Sequence, residues 1–106
     1  MNYIIGLDIG TTSTIGILLS LPNKIISQAS RPVTLNSPYP GWAEEDPNKW
    51  WDYICILTKR LIYDSKIESE KISAVGISYQ MHGLVIVDKN GSPLRNSIIW
   101  CDSRAV

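Results

Sequence analysis

Residues 6–14 read Gly-Leu-Asp-Ile-Gly-Thr-Thr-Ser-Thr, and this stretch decides how the beginning of the chain folds. An apolar run precedes it, and a second apolar run, residues 15–19, follows it. This layout predicts a strand, a tight turn and a second strand. The turn contains one carboxylate, Asp8, and one hinge glycine, Gly10. Glycine can adopt backbone angles closed to other residues, and it has no Cβ to block an incoming ligand.

Three hydroxyl side chains follow the hinge glycine, namely Thr11, Thr12 and Ser13. Successive backbone N–H groups in such a turn form an anion-binding concavity, and the hydroxyls add donors for phosphate oxygens. Asp8 would repel bare phosphate, so it makes sense there only with Mg²⁺ or its water shell between the two. One interpretation is therefore a nucleotide-phosphate loop, and the other is an ordinary hairpin with polar turn residues.

The size and charge of the chain limit its function classes. The chain has 106 residues, enough for one modest core, and its 10 basic side chains balance 10 acidic ones. This balance disfavours nucleic acid and anionic membranes as partners. The longest apolar stretches reach about half of the roughly 20 residues that a membrane-spanning helix needs. The 2 cysteines lack metal-ligand spacing, so we expect free thiols in a reducing cytoplasm.

The hydrophobic pattern also predicts the order of the elements. We expect strands near residues 3–9, 14–20 and 25–34, a proline-rich loop at 35–46, a helix from 47 to near 64, and strands at 72–78, 84–87 and from 97 onward. Asp46 is expected to cap the helix, with Pro47 as its first residue. Three antiparallel strands, a helix and a parallel crossover make a mixed α/β sheet. Because one helix leaves a face of such a sheet uncovered, we expect a fragment of a longer protein.

A polar segment, Gln80-Met81-His82-Gly83, follows the strand at 72–78. Ligands collect beyond the carboxyl ends of parallel strands in open sheets. Gln80 and His82 can hydrogen-bond sugar hydroxyls, and Met81 can cover an apolar face. The alternative is a surface loop with a satisfied histidine.

A second such segment is Trp100-Cys101-Asp102-Ser103-Arg104. An indole platform followed by an acid and a base suits a polyol, because the ring stacks on C–H faces and the charged groups hydrogen-bond hydroxyls. The alternative is a core tryptophan followed by a surface ion pair.

Asp8-Ile9-Gly10-Thr11-Thr12-Ser13 resembles the first phosphate loop of the actin, hexokinase and Hsp70 superfamily, and the chain has no P-loop and no Gly-x-Gly-x-x-Gly motif. Taken with other motifs in order, it resembles the N-terminal domain of the FGGY carbohydrate kinases, and the xylulokinases most. The other motifs are Pro40-Gly41-Trp42-Ala43-Glu44-Glu45-Asp46-Pro47 with Trp50-Trp51, Gly76-Ile77-Ser78, Gln80-Met81-His82-Gly83 and Trp100-x-Asp102-x-Arg104. Gln80-Met81-His82-Gly83 is the segment that favours ketopentose kinases over glycerol kinases.

The resemblance implies an RNase H-like first domain of a two-domain kinase, of which residues 1–106 are the N-terminal part. Sugar and Mg-ATP would meet in its cleft, and the γ-phosphoryl group would pass to a sugar hydroxyl. By this resemblance, Asp8 organises Mg²⁺, and the phosphates face Gly10, Thr11, Thr12 and Ser13. The sugar contacts Gln80, Met81, His82, Trp100 and Asp102. The catalytic base and most of the adenosine site lie beyond this chain.

The resemblance also implies a cytoplasmic enzyme that binds a small sugar and ATP, with no nucleic-acid or membrane partner, and it leaves a homodimer of the full-length protein open. One position departs from the family pattern, because Ile15 stands where members usually carry Lys or Arg. Three alternatives stay open: a kinase of ribulose, gluconate or glycerol, an actin-like or Hsp70-like ATPase fragment, and a non-catalytic sugar-binding relative.

Overall fold

The computed structural model of this protein describes residues 2–105. Its helices and strands are β1 (Tyr3–Ile9), β2 (Ser13–Ser20), β3 (Lys24–Pro32), β4 (Glu44–Glu45), α1 (Pro47–Ser65), a short 3₁₀ helix (Ser69–Lys71), β5 (Ile72–Tyr79) and β6 (Ser97–Ile98). The large sheet has the strand order β3-β2-β1-β5, and β4 pairs with β6 in a separate two-stranded sheet. The first three strands are antiparallel neighbours, whereas β5 runs parallel to β1. The predicted mixed α/β sheet with a parallel crossover through a helix is therefore confirmed.

Helix α1 begins as its sequence predicts. The side chain of Asp46 accepts a hydrogen bond of 2.9 Å from the backbone N–H of Asn48, and Pro47 is the first helical residue. The cap satisfies one of the N–H groups that the first turn of a helix leaves without an acceptor. The helix then packs its apolar face on β2 and β3.

The hydrophobic core lies between this helix and one face of the sheet. Leu61 of α1 is 0% exposed and packs against Ile5, Leu7 and Leu18 of the first two strands. Burial of such a side chain stabilises the fold by about 1.5–3 kcal/mol. Because side chains alternate along a strand, Asp8 lies on the opposite face from Leu7 and therefore away from the helix.

The segment at 84–87 is not a strand, so that prediction is wrong. Leu84 forms an isolated bridge with Ile98, and Val87 forms another with Pro93. Each bridge is a single residue pair, and the hydrogen bonds that flank Val87 close a local hairpin instead of joining a sheet. A turn follows this segment, with the N–H of Gly91 donating to the carbonyl of Asp88 at 3.0 Å.

The strand predicted from residue 97 is only two residues long and lies outside the main sheet. It ends because the N–H of Asp102 donates to the carbonyl of Ile99 at 3.0 Å and turns the chain. Its partner β4 falls inside the region that the sequence predicts as a proline-rich loop. Two-residue strands carry no periodic pattern, so their pairing is not visible in the sequence.

Strand β5 is the uncovered edge of the main sheet. Val75, Ile77 and Tyr79 alternate along it and are 55%, 56% and 66% exposed. Helix α1 covers β2 and β3 instead, which leaves this apolar row in contact with solvent.

Among residues 2–105, no helix combines the length and the apolar character needed to cross a membrane.

Candidate functional site

The turn between β1 and β2 is closed by a short backbone contact. The N–H of Gly10 donates to the carbonyl of Ser13 at 2.9 Å, and a Cβ at Gly10 would lie 2.8 Å from the same oxygen. Gly10 is not among the described residues with a positive φ. Close approach of the backbone, rather than a left-handed conformation, is therefore the reason that this position needs glycine.

The middle of this turn presents polar groups to the open edge of the sheet. The carbonyl of Thr12 accepts a hydrogen bond of 2.9 Å from the N–H of Val33, which ties the turn to the end of β3. The N–H groups of Thr11 and Thr12 have no acceptor within the part of the chain that the structure describes. Of the N–H groups expected to face an anion, that of Gly10 is used inside the turn and these two are free for a ligand.

The segment Gln80-Met81-His82-Gly83 lies beside this turn. Because β5 runs parallel to β1 and pairs Tyr79 with Ile9, the carboxyl ends of both strands meet at one edge. The N–H of Gln80 donates to the carbonyl of Ile9 at 3.0 Å and fixes that relation. His82 is exposed and has a φ of 63°, a left-handed conformation that costs free energy for a residue with a Cβ. Non-glycine residues in this conformation cluster at ligand sites.

Trp100 is bound to the turn between β1 and β2. Its indole Nε1 donates a hydrogen bond of 2.8 Å to Oγ1 of Thr11, across 89 positions of sequence. The ring is 58% exposed, so it is not the core tryptophan of the alternative interpretation. The Nε1 edge of the indole is thereby held at the turn between β1 and β2.

These three segments line one cleft of about 420 Å³, within the range of about 300–1,000 Å³ that is usual for ligand sites. The lining residues are Asp8, Gly10, Thr11, Tyr79, Gln80, Met81, His82 and Trp100. A second cleft is also lined by the Met81–His82 turn, and its other lining residues include Trp50, Tyr79 and Gln80. Sequence analysis missed Tyr79 and Trp50, because one reads as a strand end and the other as part of an apolar helix face.

Asp102 is placed differently from the other predicted site residues. Its Oδ2 accepts hydrogen bonds from the N–H of Ala43 at 2.7 Å and from Arg104 Nη2 at 2.6 Å. Its Oδ1 accepts from the N–H and the Nε of Arg104, both at 2.9 Å. The Arg104 guanidinium holds the pKa of this carboxyl well below its usual range, and the two backbone N–H groups add to the effect. Asp102 does not line either cleft at the Met81–His82 turn.

Arg104 is the centre of a cluster that fastens the end of the described chain to β4. Its Nη2 lies 2.7 Å from Oε2 of Glu44, and its guanidinium stacks 3.7 Å from the centroid of the Trp42 ring. Arg95 contacts the same Glu44 oxygen at 2.7 Å. These arginines, with the Arg104 hydrogen bond as the main cause, lower the pKa of Glu44. The cluster positions the chain on either side of Trp100.

Glu45, which the sequence did not indicate as a site residue, is 0% exposed. Its Oε1 accepts hydrogen bonds of 2.9 Å from both Trp50 Nε1 and Gln80 Nε2. Burial raises the pKa of this carboxyl, and the two hydrogen bonds partly oppose the rise. Because glutamate is rarely buried without a partner, nothing in its residue type indicated this position.

The donor set at the cleft fits Mg²⁺ bound together with a phosphate ligand. Asp8 is the carboxylate at the mouth of the cleft, and the described residues contain no group of three His, Cys, Asp or Glu that could hold a metal alone. Mg²⁺ is commonly held by one or two carboxylates plus substrate phosphates and water. Asp8 takes part in none of the ion pairs formed among residues 2–105. Ile15 lies directly opposite it on β2, so an apolar side chain occupies the place where a neighbouring cation would stand.

Comparison with known proteins shows that this chain is similar to carbohydrate kinases. The model of the FGGY family of carbohydrate kinases, N-terminal domain, matches residues 3–106. A xylulose kinase from Staphylococcus epidermidis is 37% identical over 103 residues, which cover 97% of this chain and 21% of that protein. The crystal structure of a xylulose kinase from Rhodospirillum rubrum superposes with a TM-score of 0.88 and 42% identity over 97% of this chain and 21% of that one.

The structure of Plasmodium falciparum glycerol kinase with ADP is also similar. It gives a TM-score of 0.85 at 29% identity, covering 98% of this chain and 21% of that chain. Kinases named for different acceptors are therefore similar to the same segment. The chain spans about a fifth of the length of the curated relatives that it matches.

Proposed function

Because this chain belongs to the FGGY family of carbohydrate kinases, we propose that the full-length protein transfers the γ-phosphoryl group of ATP to a sugar hydroxyl. Residues 1–106 form the N-terminal part of its first domain. The remainder of that domain and a second domain, which carry the catalytic base and most of the adenosine site, lie outside this segment. The protein works in the cytoplasm on two small-molecule substrates.

One observation carries this proposal: residues of the turn at 10–13, here called the phosphate-loop turn, and of the turn at 80–83, here called the sugar turn, line the same cleft. Trp100 donates to Thr11 at 2.8 Å, and the N–H of Gln80 donates to the end of β1 at 3.0 Å. A phosphoryl donor at the first turn and a polyol at the second would therefore be neighbours. Phosphoryl transfer depends mainly on such positioning and on neutralising charge.

The residues of the cleft take the following roles in the proposal. Asp8 holds Mg²⁺ or its water shell, and the metal neutralises charge on the phosphates when it is bound. The phosphate oxygens face Gly10, Thr11, Thr12 and Ser13. The sugar contacts Met81 and His82, with Gln80 and Trp100 in the same cleft. Asp102 lies outside this cleft and acts on the site through the backbone that it fixes, since its oxygens accept hydrogen bonds from Arg104 and Ala43.

D-xylulose is the acceptor that we propose. The support is Gln80-Met81-His82-Gly83, the segment that resembles ketopentose kinases, together with similarity to proteins named as xylulose kinases. Ribulose, gluconate and glycerol are the competing acceptors, because kinases named for glycerol are also similar to this chain.

The direct test is steady-state ADP formation by the purified full-length protein with each acceptor. We expect no turnover without an acceptor, and a kcat/KM for D-xylulose at least about tenfold above that for glycerol, because polar groups that bind a missing hydroxyl stay unpaired. An acceptor-independent ATPase would contradict the kinase proposal. A preference for another polyol would contradict only the choice of sugar.

A matched pair of variants tests whether the two turns share one cleft. Thr11→Val removes the acceptor of the Trp100 indole, whereas Thr12→Val removes a neighbouring hydroxyl to which the indole does not donate. We expect T11V to raise the KM for the sugar about fivefold or more, the scale of an unmade hydrogen bond in a site. T12V should leave the KM for the sugar unchanged. Equal sugar KM values in both variants would show that the hydrogen bond between Trp100 and Thr11 has no part in sugar binding.

A further inference from the structure

Glu45 lies directly beneath the turn that the proposed function assigns to the sugar. It is 0% exposed, and its Oε1 accepts from Gln80 Nε2 and from Trp50 Nε1, each at 2.9 Å. Gln80 begins the turn, and both donors line the cleft behind Met81 and His82. One carboxylate oxygen therefore connects the turn to the first residues of helix α1.

This carboxyl is buried without a cation. Its neighbour Glu44 contacts Arg95 and Arg104, whereas Glu45 takes part in none of the ion pairs among residues 2–105. Its second oxygen, Oε2, and the Gln80 Oε1 are both buried without a hydrogen-bond partner in the described structure. A buried carboxyl in these surroundings opposes folding. Its contribution to the structure is thus the pair of hydrogen bonds at Oε1.

The turn above Glu45 is strained and is fixed at both ends. The N–H of Gln80 donates to the carbonyl of Ile9 at 3.0 Å, and the N–H of Leu84 donates to the carbonyl of Ile98 at 2.9 Å. Between them His82 has a φ of 63°. A non-glycine residue keeps this conformation only where its surroundings enforce it. The Gln80 side chain, bound to Glu45, is the anchor that reaches the turn from the protein interior.

We propose that Glu45 is a positioning residue of the sugar site, which holds Gln80 and thereby sets the place of Met81 and His82. This inference rests on the proposed function for its consequence, the binding of sugar, but not for the anchoring itself. Glu45 touches neither substrate, so its effect on the reaction passes through Gln80 and the turn.

The anchoring is measured by hydrogen–deuterium exchange of the full-length protein at the amides of Gln80 and Leu84. Glu45→Leu removes the acceptor, whereas Glu45→Gln keeps an acceptor oxygen for the same donors. Glu68→Leu changes an exposed carboxyl that makes no side-chain cap contact and is the control. We expect exchange at both amides to rise about tenfold in E45L, with E45Q and E68L near wild type, as for loss of one buried hydrogen bond. Amides in the centre of β1 and β2 should be unchanged.

The anchoring role predicts that loss of Glu45 changes the KM for the sugar and not the KM for ATP. E45L should raise the KM for the sugar about tenfold and leave the KM for ATP within about twofold, since the hydrogen bonds of Glu45 go to Trp50 and Gln80 and not to the phosphate-loop turn. E45Q should restore the sugar KM. A purely structural role would instead lower the amount of folded enzyme and leave both KM values intact.

If E45L does not fold, Gln80→Met breaks the same link from the other side and leaves the bond between Glu45 and Trp50. Faster exchange at Leu84 in that variant supports the proposal. Unchanged exchange at Leu84 in every folded variant would overturn the anchoring role. A wild-type protein without sugar-dependent turnover would refute the proposed function, and the exchange data would still decide the role of Glu45.

Discussion

Among single residues, Asp8 gives the most direct test of the chemistry proposed for the cleft. Asp8→Ala in the full-length enzyme should lower kcat about 100-fold or more while changing the KM for the sugar little, because the carboxylate would hold the Mg²⁺ that offsets the negative charge developing during transfer. Steady-state kinetics with varied sugar and saturating Mg-ATP measure both constants. A variant with normal kcat and only weakened sugar binding would contradict this role.

His82 combines a proposed ligand contact with a strained backbone. His82→Ala should lower kcat/KM for the sugar by a factor that corresponds to about 1–3 kcal/mol of transition-state stabilisation, the scale of an unmade hydrogen bond in a polar site. His82→Gly removes the same imidazole but tolerates the φ of 63°, so H82G should melt at a higher temperature than H82A. The two variants should share the kinetic defect.

Calorimetric melting of the same two proteins, with ATP binding as the control, completes that comparison. A melting temperature that falls strongly in both variants, with intact sugar kinetics, would remove His82 from the site and weaken the choice of xylulose.

At the scale of elements, local pattern predicts β1, β2, β3, β5 and α1. Alternating or helical periodicity, the Asp46 cap and Pro47 carry enough signal within each segment. Strands β4 and β6 carry none, because each has two residues and is held by the ion pairs of Glu44 with Arg95 and Arg104. The predicted strand at 84–87 is wrong because apolar residues alone do not supply a pairing partner.

The cluster that holds these short strands should make stability depend on pH. Asp102 has a pKa below its ordinary value of 3.8, so it contributes stability that is fully present above about pH 4 and is lost as the pH falls through the lowered pKa. Asp102→Asn cannot titrate and lacks this contribution. The melting temperature of D102N should therefore lie below wild type at pH 7.

The gap between the two melting temperatures should narrow as the pH falls from about 5 to about 2.5. Glu44 has a lowered pKa as well, and it titrates in both proteins. Differential scanning calorimetry across this range measures the gap, and a gap that stays constant or widens toward acid would exclude the ion pair as its source.

At the scale of the whole molecule, the sequence indicates which segments bear the site but not how they meet. Residue types mark the phosphate-loop turn and the sugar turn, and the parallel pairing of β1 and β5 brings their ends together. The hydrogen bond from Trp100 to Thr11 spans 89 positions, and no local pattern indicates it. The buried position of Glu45 is equally hidden, because glutamate usually lies on the surface.

The uncovered β5 edge predicts the behaviour of residues 1–106 as an isolated polypeptide. Val75 and Ile77 are each more than half exposed on a strand with a free edge, and such edges pair with other chains. We expect the fragment to self-associate, to bind a hydrophobic dye and to show no sugar-dependent turnover. Sedimentation velocity should show that Val75→Ser with Ile77→Ser reduces the association. A monodisperse fragment that does not bind the dye would contradict this expectation.

The fate of the γ-phosphoryl group tests the central claim most directly, namely that the two turns form one phosphoryl-transfer site. Phosphorus NMR follows the full-length protein incubated with Mg-ATP and D-xylulose. The claim predicts ADP and a new phosphate monoester on the sugar in equal amounts, formed only when the sugar is present. Inorganic phosphate released at the same rate with and without sugar would contradict it.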